Sequence, residues 1–177
     1  MEENVKAPFW KPALIYGLIL AFVSIILSLA FYFTGLYLKG WVSLLSVVIG
    51  IVVLVYVLLM YRKEYLGDFA TYGQMFWMAF TAGMISSVIG LLFSYLMQTV
   101  IAPDMMENIR LAAQEKIMNN PRIPESMYDS LFERIEKNMQ PVRQMVQGLI
   151  ISVFIQALIA LIVAAFLKKE ETPAEAV

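Results

Sequence analysis

The chain has 177 residues, of which 60% are hydrophobic and 15% are charged, whereas soluble domains have about 45–50% and about 25%. Its 13 basic and 14 acidic residues nearly cancel, so it lacks the positive field that attracts nucleic acid, and we expect no nucleic-acid partner. Cysteine and histidine are missing from the sequence, which excludes thiol nucleophiles, disulfides and zinc sites built on either ligand.

Four long apolar runs dominate the sequence. They cover residues 13–33, 41–61, 75–97 and 146–167, and none of them contains Asp, Glu, Lys or Arg. A helix of this length crosses the hydrocarbon core of a bilayer, which is about 30 Å thick. Trp10, Trp41, Tyr61 and Trp77 fall near the ends of the runs, where aromatic rings favour the interface between lipid and water. The pattern predicts an all-α membrane protein with a four-helix transmembrane bundle, forming one domain over residues 1–177.

The charges flanking the spans predict how the chain is oriented. The amino-terminal segment, the loop with Arg62 and Lys63, and the tail 168–177 share one side and hold six basic residues, while the short opposite loop holds only Lys39. The positive-inside rule then places both termini in the cytoplasm. The long loop has six basic residues of its own, but they alternate with seven acidic ones, and the rule weakens over long loops. Since no Ala-x-Ala cleavage pattern follows the first span, we expect a retained helix and not a signal peptide.

The loop 98–145 is the one sizeable extramembrane segment that the sequence predicts. Pro103 and Pro124 are each followed by an acidic residue, a pattern typical of the first turn of a helix. Apolar residues then recur at helical spacing, which predicts an amphipathic helical hairpin between the third and fourth spans. These residues are Met106, Ile109, Ala113 and Ile117, followed by Met127, Leu131, Ile135 and Met139. The hairpin either packs on the bundle and the membrane surface or forms a docking surface for a partner.

Small residues line one face of the third and fourth spans. Close helix packing in membranes uses such residues, and an amide in hydrocarbon needs a hydrogen-bond partner. We therefore expect the two spans to pack along these faces, and we interpret Gln156 as a structural hydrogen-bonding group and not as a ligand of a substrate. The predicted packing residues are Gly83, Ser86, Gly90 and Ser94 in the third span and Gly148, Ser152, Gln156 and Ala160 in the fourth. Ser24, Ser28, Ser46 and Gly50 of the other spans are expected to face the same interior.

The motifs of an enzyme or an ion-coupled transporter are not found in the sequence. The spans hold no ionisable acid or base and no proline, whereas proton and ion pathways use intramembrane charges and broken helices. No nucleotide-binding loop and no calcium loop occurs, so we predict no catalytic, cofactor or metal residues. A non-enzymatic structural or interaction protein, joined to the lipid bilayer and to a second copy or another membrane protein, is the preferred hypothesis. A small transport or pore-forming component is the alternative.

Three segments carry a resemblance to a known family. They are FWKPALIYGLILAFVSIILSLAFYFTG at 9–35, YRKEYLGDFATYGQMFWMAFTAG at 61–83 and FSYLMQTVIAPD at 93–104, with a polar loop, a final span and a Lys-Lys tail after them. In this order the chain resembles the family known as domain of unknown function 4199, small membrane proteins found mostly in Bacteroidota. The resemblance implies a location in the bacterial inner membrane, and it implies no activity and no functional residues.

Overall fold

The computed structural model describes residues 8–169 of the chain. All regular elements in this part of the chain are helical, apart from a single bridge between Ala70 and Lys169. The α-helices are α1 (Trp10–Phe33), α2 (Gly40–Tyr65), α3 (Tyr72–Leu96), α4 (Pro103–Met118), α5 (Tyr128–Asn138) and α6 (Pro141–Leu167). The predicted all-α class is confirmed. Lys6 and the tail beyond Lys169, which entered the prediction of orientation, lie outside the described residues.

Four of the helices are long and apolar enough to cross a membrane. They are α1, α2, α6 and a unit that joins α3 to the turn after it, Tyr72–Ile101, and they correspond to the four predicted spans. The helices continue past the predicted ends, because α2 runs on through Arg62 and Lys63 and α6 already begins at Pro141. The turn that extends α3, Met97–Ile101, is a π-helix, a wider helical turn that is rare in proteins.

Local sequence signals fix the helix ends. Thr71 caps α3, since its side chain accepts a hydrogen bond from the Gln74 backbone N–H while the Gln74 side chain accepts one from the Thr71 backbone. This reciprocal capping box satisfies two donors that the first turn of a helix leaves unpaired. Pro103 and Pro141 each stand in the first turn of a helix, where a missing backbone N–H is tolerated. Gly35, at φ 67°, follows the end of α1 in a conformation that glycine adopts without strain.

The helix α3 lies at the centre of the bundle and packs most extensively against α6 and α1, while α2 packs chiefly against α1. The buried core is confined to the half of the bundle near the α2–α3 loop. Its residues are Ala13, Tyr16 and Leu20 of α1, Leu54, Val57, Leu58 and Tyr61 of α2, Ala70 of the α2–α3 loop, Met75, Met78, Ala79 and Ala82 of α3, and Ala160, Val163 and Ala164 of α6. In the other half of the four long helices, Val42 of α2 and Met97 of the π-helical turn are the buried residues that the described chain contains. The bundle is therefore tightly packed at one end and open toward the other.

The helices α4 and α5 lie at the open end. Arg110 of α4 pairs with Glu107 on the same helix and with Glu136 of α5, and Asn108 of α4 donates to the hydroxyl of Tyr37 in the α1–α2 connection at 3.2 Å. Neither helix has a buried residue among those that the structure describes. The predicted apolar stripe of α4 is half-buried, as is that of α5 apart from Met127, which is exposed.

Candidate functional site

The contact between α3 and α6 centres on Gln156. Its amide Nε2 donates to the hydroxyl Oγ of Ser87 across the two helices at 3.2 Å. Opposite the amide stands Gly83, where a Cβ atom would clash with Gln156 Oε1 and lie 2.8 Å from Gln156 Cδ. Because real Cβ contacts are longer than 3.0 Å, any side chain at residue 83 would require the end of the Gln156 side chain to move from this position.

A second close approach between α3 and α6 lies nearer the open end of the bundle. A Cβ atom at Gly148 of α6 would lie 2.6 Å from Leu91 Cδ2 of α3. At the tight end of the same contact Ala160 and Ala164 are buried, at 1% and 0% exposure. Gly83, Gly148, Gln156 and Ala160, four of the residues that the sequence singled out, therefore lie in or beside the α3–α6 contact, as does Ser87, the neighbour of the predicted Ser86.

The structure does not bring Gly90 into this contact. A Cβ atom built on Gly90 meets nothing within 4 Å, although the four-residue spacing places Gly90 on the same face of α3 as Ala82 and Ser86. The expectation of a close helix approach at Gly90 is wrong, because at this level of α3 it is Leu91 that lies against α6, at Gly148.

Several of the serines that the sequence singled out form hydrogen bonds within their own helices. Ser24, Ser46 and Ser152 donate to carbonyl oxygens of their own helices, Leu20, Val42 and Leu149, at 2.9, 3.0 and 2.8 Å. A serine in a membrane helix can satisfy its hydroxyl in this way without a partner helix. Ser94 instead accepts from Gln98 Nε2 at 3.1 Å.

Gln98, a polar residue in the π-helical turn, has a role that was not predicted from the sequence. Its Nε2 also donates to Gln144 Oε1 of α6 at 2.9 Å, which joins α3 and α6 at the open end. Its Oε1 is buried and has no hydrogen-bond partner within residues 8–169. The signal in the sequence was weak, because Gln98 and Gln144 both fall in the segment predicted to be a loop.

A pocket opens beside Gln156 in the middle of the bundle. We call it the central pocket, and it has a volume of about 170 Å³. All four long helices contribute to it, and its lining residues are Leu20, Ser24, Val47, Gly50, Ile51, Leu54, Gly83, Ser86, Ile155, Gln156 and Ile159. The wall is aliphatic, with one amide and two hydroxyl-bearing residues. A lining of this kind can surround an apolar ligand and form a few hydrogen bonds with it.

Charged groups gather at the tight end of the bundle, in what we call the Arg62 cluster: Arg62, Asp68, Lys169 and the carbonyl group of Leu167. Arg62 Nε donates to Asp68 Oδ1 at 3.1 Å, and its NH1 donates to the carbonyl of Leu167 at 2.9 Å. Lys169 Nζ donates to the other oxygen of Asp68 and lies over the ring of Phe69. Two backbone hydrogen bonds join Ala70 and Lys169. The cluster therefore fastens the α2–α3 loop to the end of α6.

The comparisons with known proteins agree with the resemblance seen in the sequence. A family model described as a protein of unknown function, DUF4199, matches residues 15–169. The chain belongs to this family. The DUF4199 segment includes all residues of the central pocket and of the Arg62 cluster. No curated protein and no solved structure matches the chain significantly.

Acid is expected to weaken the Arg62 cluster. The hydrogen bond from Lys169 lowers the pKa of Asp68 below its ordinary value, and Arg62 adds to the effect. A carboxyl group with a lowered pKa in the folded state stabilises the fold above its ordinary pKa, and this contribution is lost as the pH falls through the lowered value.

We expect the thermal midpoint of the wild type to fall with acid over that range more than the midpoint of Asp68→Asn. Glu133→Gln, which removes a carboxylate of similarly lowered pKa from α5, is the matched control. A wild type and an Asp68→Asn variant with parallel pH profiles would contradict the role of the cluster.

Proposed function

We propose that this DUF4199 protein is a non-enzymatic membrane protein that binds another protein through the α4–α5 unit and through its membrane helices. The observation that carries the proposal is the lack of any buried residue in α4 and α5, within the part of the chain that the structure describes. On α5 the apolar residues Leu131, Ile135 and Met139 share one face and are only half-covered by the chain itself. Faces of this kind, together with adaptable methionine side chains, are typical of helices that dock on partners.

The charged residues of α4 and α5 support a position of this unit outside the hydrocarbon, where it is exposed to water. The ion pairs Arg110–Glu107, Arg110–Glu136 and Lys137–Glu133 are all at the surface, and pairs of this kind add little stability. The Arg110–Glu136 pair joins the two helices and leaves the apolar face of α5 to the bilayer surface or to a partner. Proteins bind mainly through such buried apolar contacts, with polar residues at the rim.

The proposal predicts that polar substitutions on the apolar face of α5 release the partner. Leu131→Gln combined with Ile135→Gln is expected to reduce the recovery of a specific cross-linked partner from native membranes at least tenfold, since each interface residue of this kind is worth about 1–2 kcal/mol. The control is Asp129→Asn combined with Lys137→Gln on the exposed side of the same helix. The partner can be a second copy of the chain or another membrane protein, which mass spectrometry of the cross-linked product distinguishes. Equal recovery with both double variants would sink the proposal.

We also propose that the protein lies in the bacterial inner membrane with both termini in the cytoplasm. Arg62, Lys63 and Lys169 flank the tight end of the bundle, whereas Lys39 is the basic residue of the opposite short connection. A fusion of alkaline phosphatase after Asn119, between α4 and α5, is then expected to be active, and a fusion after Val177 inactive. The reverse pattern of activity would show that α4 and α5 face the cytoplasm.

The central pocket favours a second candidate function, that of a small transport or pore-forming component. A pocket lined by all four long helices is a place where a helix bundle can bind a small solute. The packed side chains of Leu58, Met75 and Met78, all at 0% exposure, close the bundle below it. Flux of solute from reconstituted vesicles, lost on filling the pocket, is the result that would favour transport over partner binding.

A further inference from the structure

The central pocket is about as large as one six-membered ring of a small molecule. Its volume is about 170 Å³, and an aliphatic cavity of about 150 Å³ in a protein holds one benzene molecule. The volume therefore admits one six-membered ring with a small substituent. A phospholipid headgroup is too large for it, and the headgroup region of a bilayer lies far from the middle of a span.

The polar groups of the pocket indicate what a ligand would carry. A primary amide has two N–H hydrogens, and the hydrogen bond to Ser87 uses one of those on Gln156. The second can be donated to a ligand oxygen, and the hydroxyl of Ser86 lines the same pocket. None of the residues that line the pocket is ionisable. Because a charge at this depth is costly unless it is paired, the ligand that fits is uncharged.

The pocket is reached from the bilayer and not from the tight end of the bundle. Val47 of α2 and Ile155 of α6 line the pocket and are still 53% and 49% exposed, so it opens between these two helices. Toward the α2–α3 loop it is closed by the buried core, in which Leu58 and Met78 are fully covered. A molecule that arrives by this route must first dissolve in hydrocarbon.

From these observations we infer that the central pocket binds one uncharged, membrane-soluble molecule whose ring carries a hydroxyl or carbonyl oxygen, with the Gln156 amide as donor to that oxygen. An acyl chain would fill the space equally well but would leave the second N–H of Gln156 without a partner, which is costly in hydrocarbon. This inference is independent of partner binding through α5, because the two sites share no residues.

Phenol and benzene are the probes that test the inference, since they differ by one hydroxyl group. Both are titrated into the protein in lipid nanodiscs, and the NMR signal of the Gln156 side-chain amide is followed; Gln156→Leu identifies that signal by its loss. We expect a saturable shift with phenol and about tenfold weaker binding of benzene, which corresponds to one buried hydrogen bond of about 1.4 kcal/mol. Simple partitioning into the lipid would give a shift that does not saturate.

A filling variant shows whether the probe occupies the pocket. Gly50 lines the pocket, and a Cβ atom there meets nothing within 4 Å among the described residues, so the backbone at this position accepts a side chain, and Gly50→Leu places one at the pocket wall. We expect it to weaken phenol binding at least tenfold, while Gly90→Leu, equally free of contacts and outside the pocket, binds phenol as the wild type does. Gly50→Met repeats the test if Gly50→Leu loses the folded NMR spectrum. No saturable shift in the wild type, equal affinities for phenol and benzene, or wild-type binding by both folded Gly50 variants would each overturn the inference.

Discussion

Gly17→Ala is expected to lower the free energy of unfolding by about 1–3 kcal/mol, the usual cost of overpacking a close contact. A Cβ atom at Gly17 of α1 would lie 2.7 Å from both Cβ and Cγ2 of Ile85 and 3.0 Å from the carbonyl oxygen of Ala82. Ile85 Cβ is attached directly to the backbone of α3, and the Ala82 oxygen belongs to it. The contact therefore cannot be relieved by rotating a side chain, and α1 must move away from α3.

Two other glycines provide matched controls for this variant. A Cβ atom at Gly90 or at Gly73 meets nothing within 4 Å, and both residues lie in α3. In the interior of a helix, alanine is favoured over glycine by about 0.5–1 kcal/mol. Gly90→Ala is therefore expected to leave stability unchanged or to raise it, and Gly73→Ala, in the first turn, to change it little.

The measurement is unfolding of the purified protein in detergent, by heat or by a denaturing detergent, for the wild type and the three glycine variants. The expected order places Gly17→Ala alone below the wild type. A loss of stability by Gly90→Ala that equals the loss by Gly17→Ala would mean that α1 and α3 do not approach each other closely at Gly17.

The spans were predictable because hydrophobicity is a local property of the sequence. Each apolar run is long enough to be read as a membrane helix without reference to the others, and the four helices of the structure follow these runs. The capping residue Thr71 and the prolines at the start of α4 and α6 are local signals as well. The predicted helix ends were less accurate than the predicted spans, since a helix can continue past the apolar run, as α2 does through Arg62 and Lys63.

The contacts between helices were only partly predictable, because they depend on the angle at which two helices cross. The spacing of small residues identified the face of α3 that holds Gly83, but it could not show that Leu91, and not its neighbour Gly90, makes the next close contact with α6. Tyr16-Gly17 in α1 and Tyr72-Gly73 in α3 are identical dipeptides. In the structure Gly17 lies against Ile85 while Gly73 has no neighbour at its Cβ position, and no local feature of the sequence distinguishes the two.

Gln156→Leu is expected to destabilise the protein by about 1 kcal/mol, because it removes the hydrogen bond from Gln156 Nε2 to Ser87 Oγ. Hydrogen bonds between membrane helices contribute about 0.6–2 kcal/mol. From the sequence alone, Gly90→Leu is expected to be at least as damaging. The structure reverses that order, since Gly90 has open space at its Cβ position, and we expect Gly90→Leu to be the milder variant.

A double-mutant cycle separates the hydrogen bond from the other effects of losing Gln156. Ser87→Ala alone is expected to lower the stability less than Gln156→Leu does. It leaves the Gln156 amide in place with its second N–H near the pocket, and the Ser87 hydroxyl itself contributes little packing. The double variant Gln156→Leu with Ser87→Ala is expected to lose less stability than the sum of the two, with a coupling of about 0.6–1.7 kcal/mol. Ile162→Leu, a conservative change at a position 51% exposed on α6, serves as the control.

The outcome of the cycle also bears on what Gln156 does in the central pocket. Additive losses in the cycle would show that the bond to Ser87 does not hold α3 to α6. If stability is unchanged in Gln156→Leu while phenol, followed in this variant by its own NMR signals because the Gln156 amide signal is absent, no longer binds saturably, the amide acts on the ligand and not on the packing of the bundle. If both are lost, one N–H of the amide holds the helices together and the other faces the pocket, which is the arrangement that the hydrogen bond to Ser87 and the position of Gln156 in the pocket wall imply.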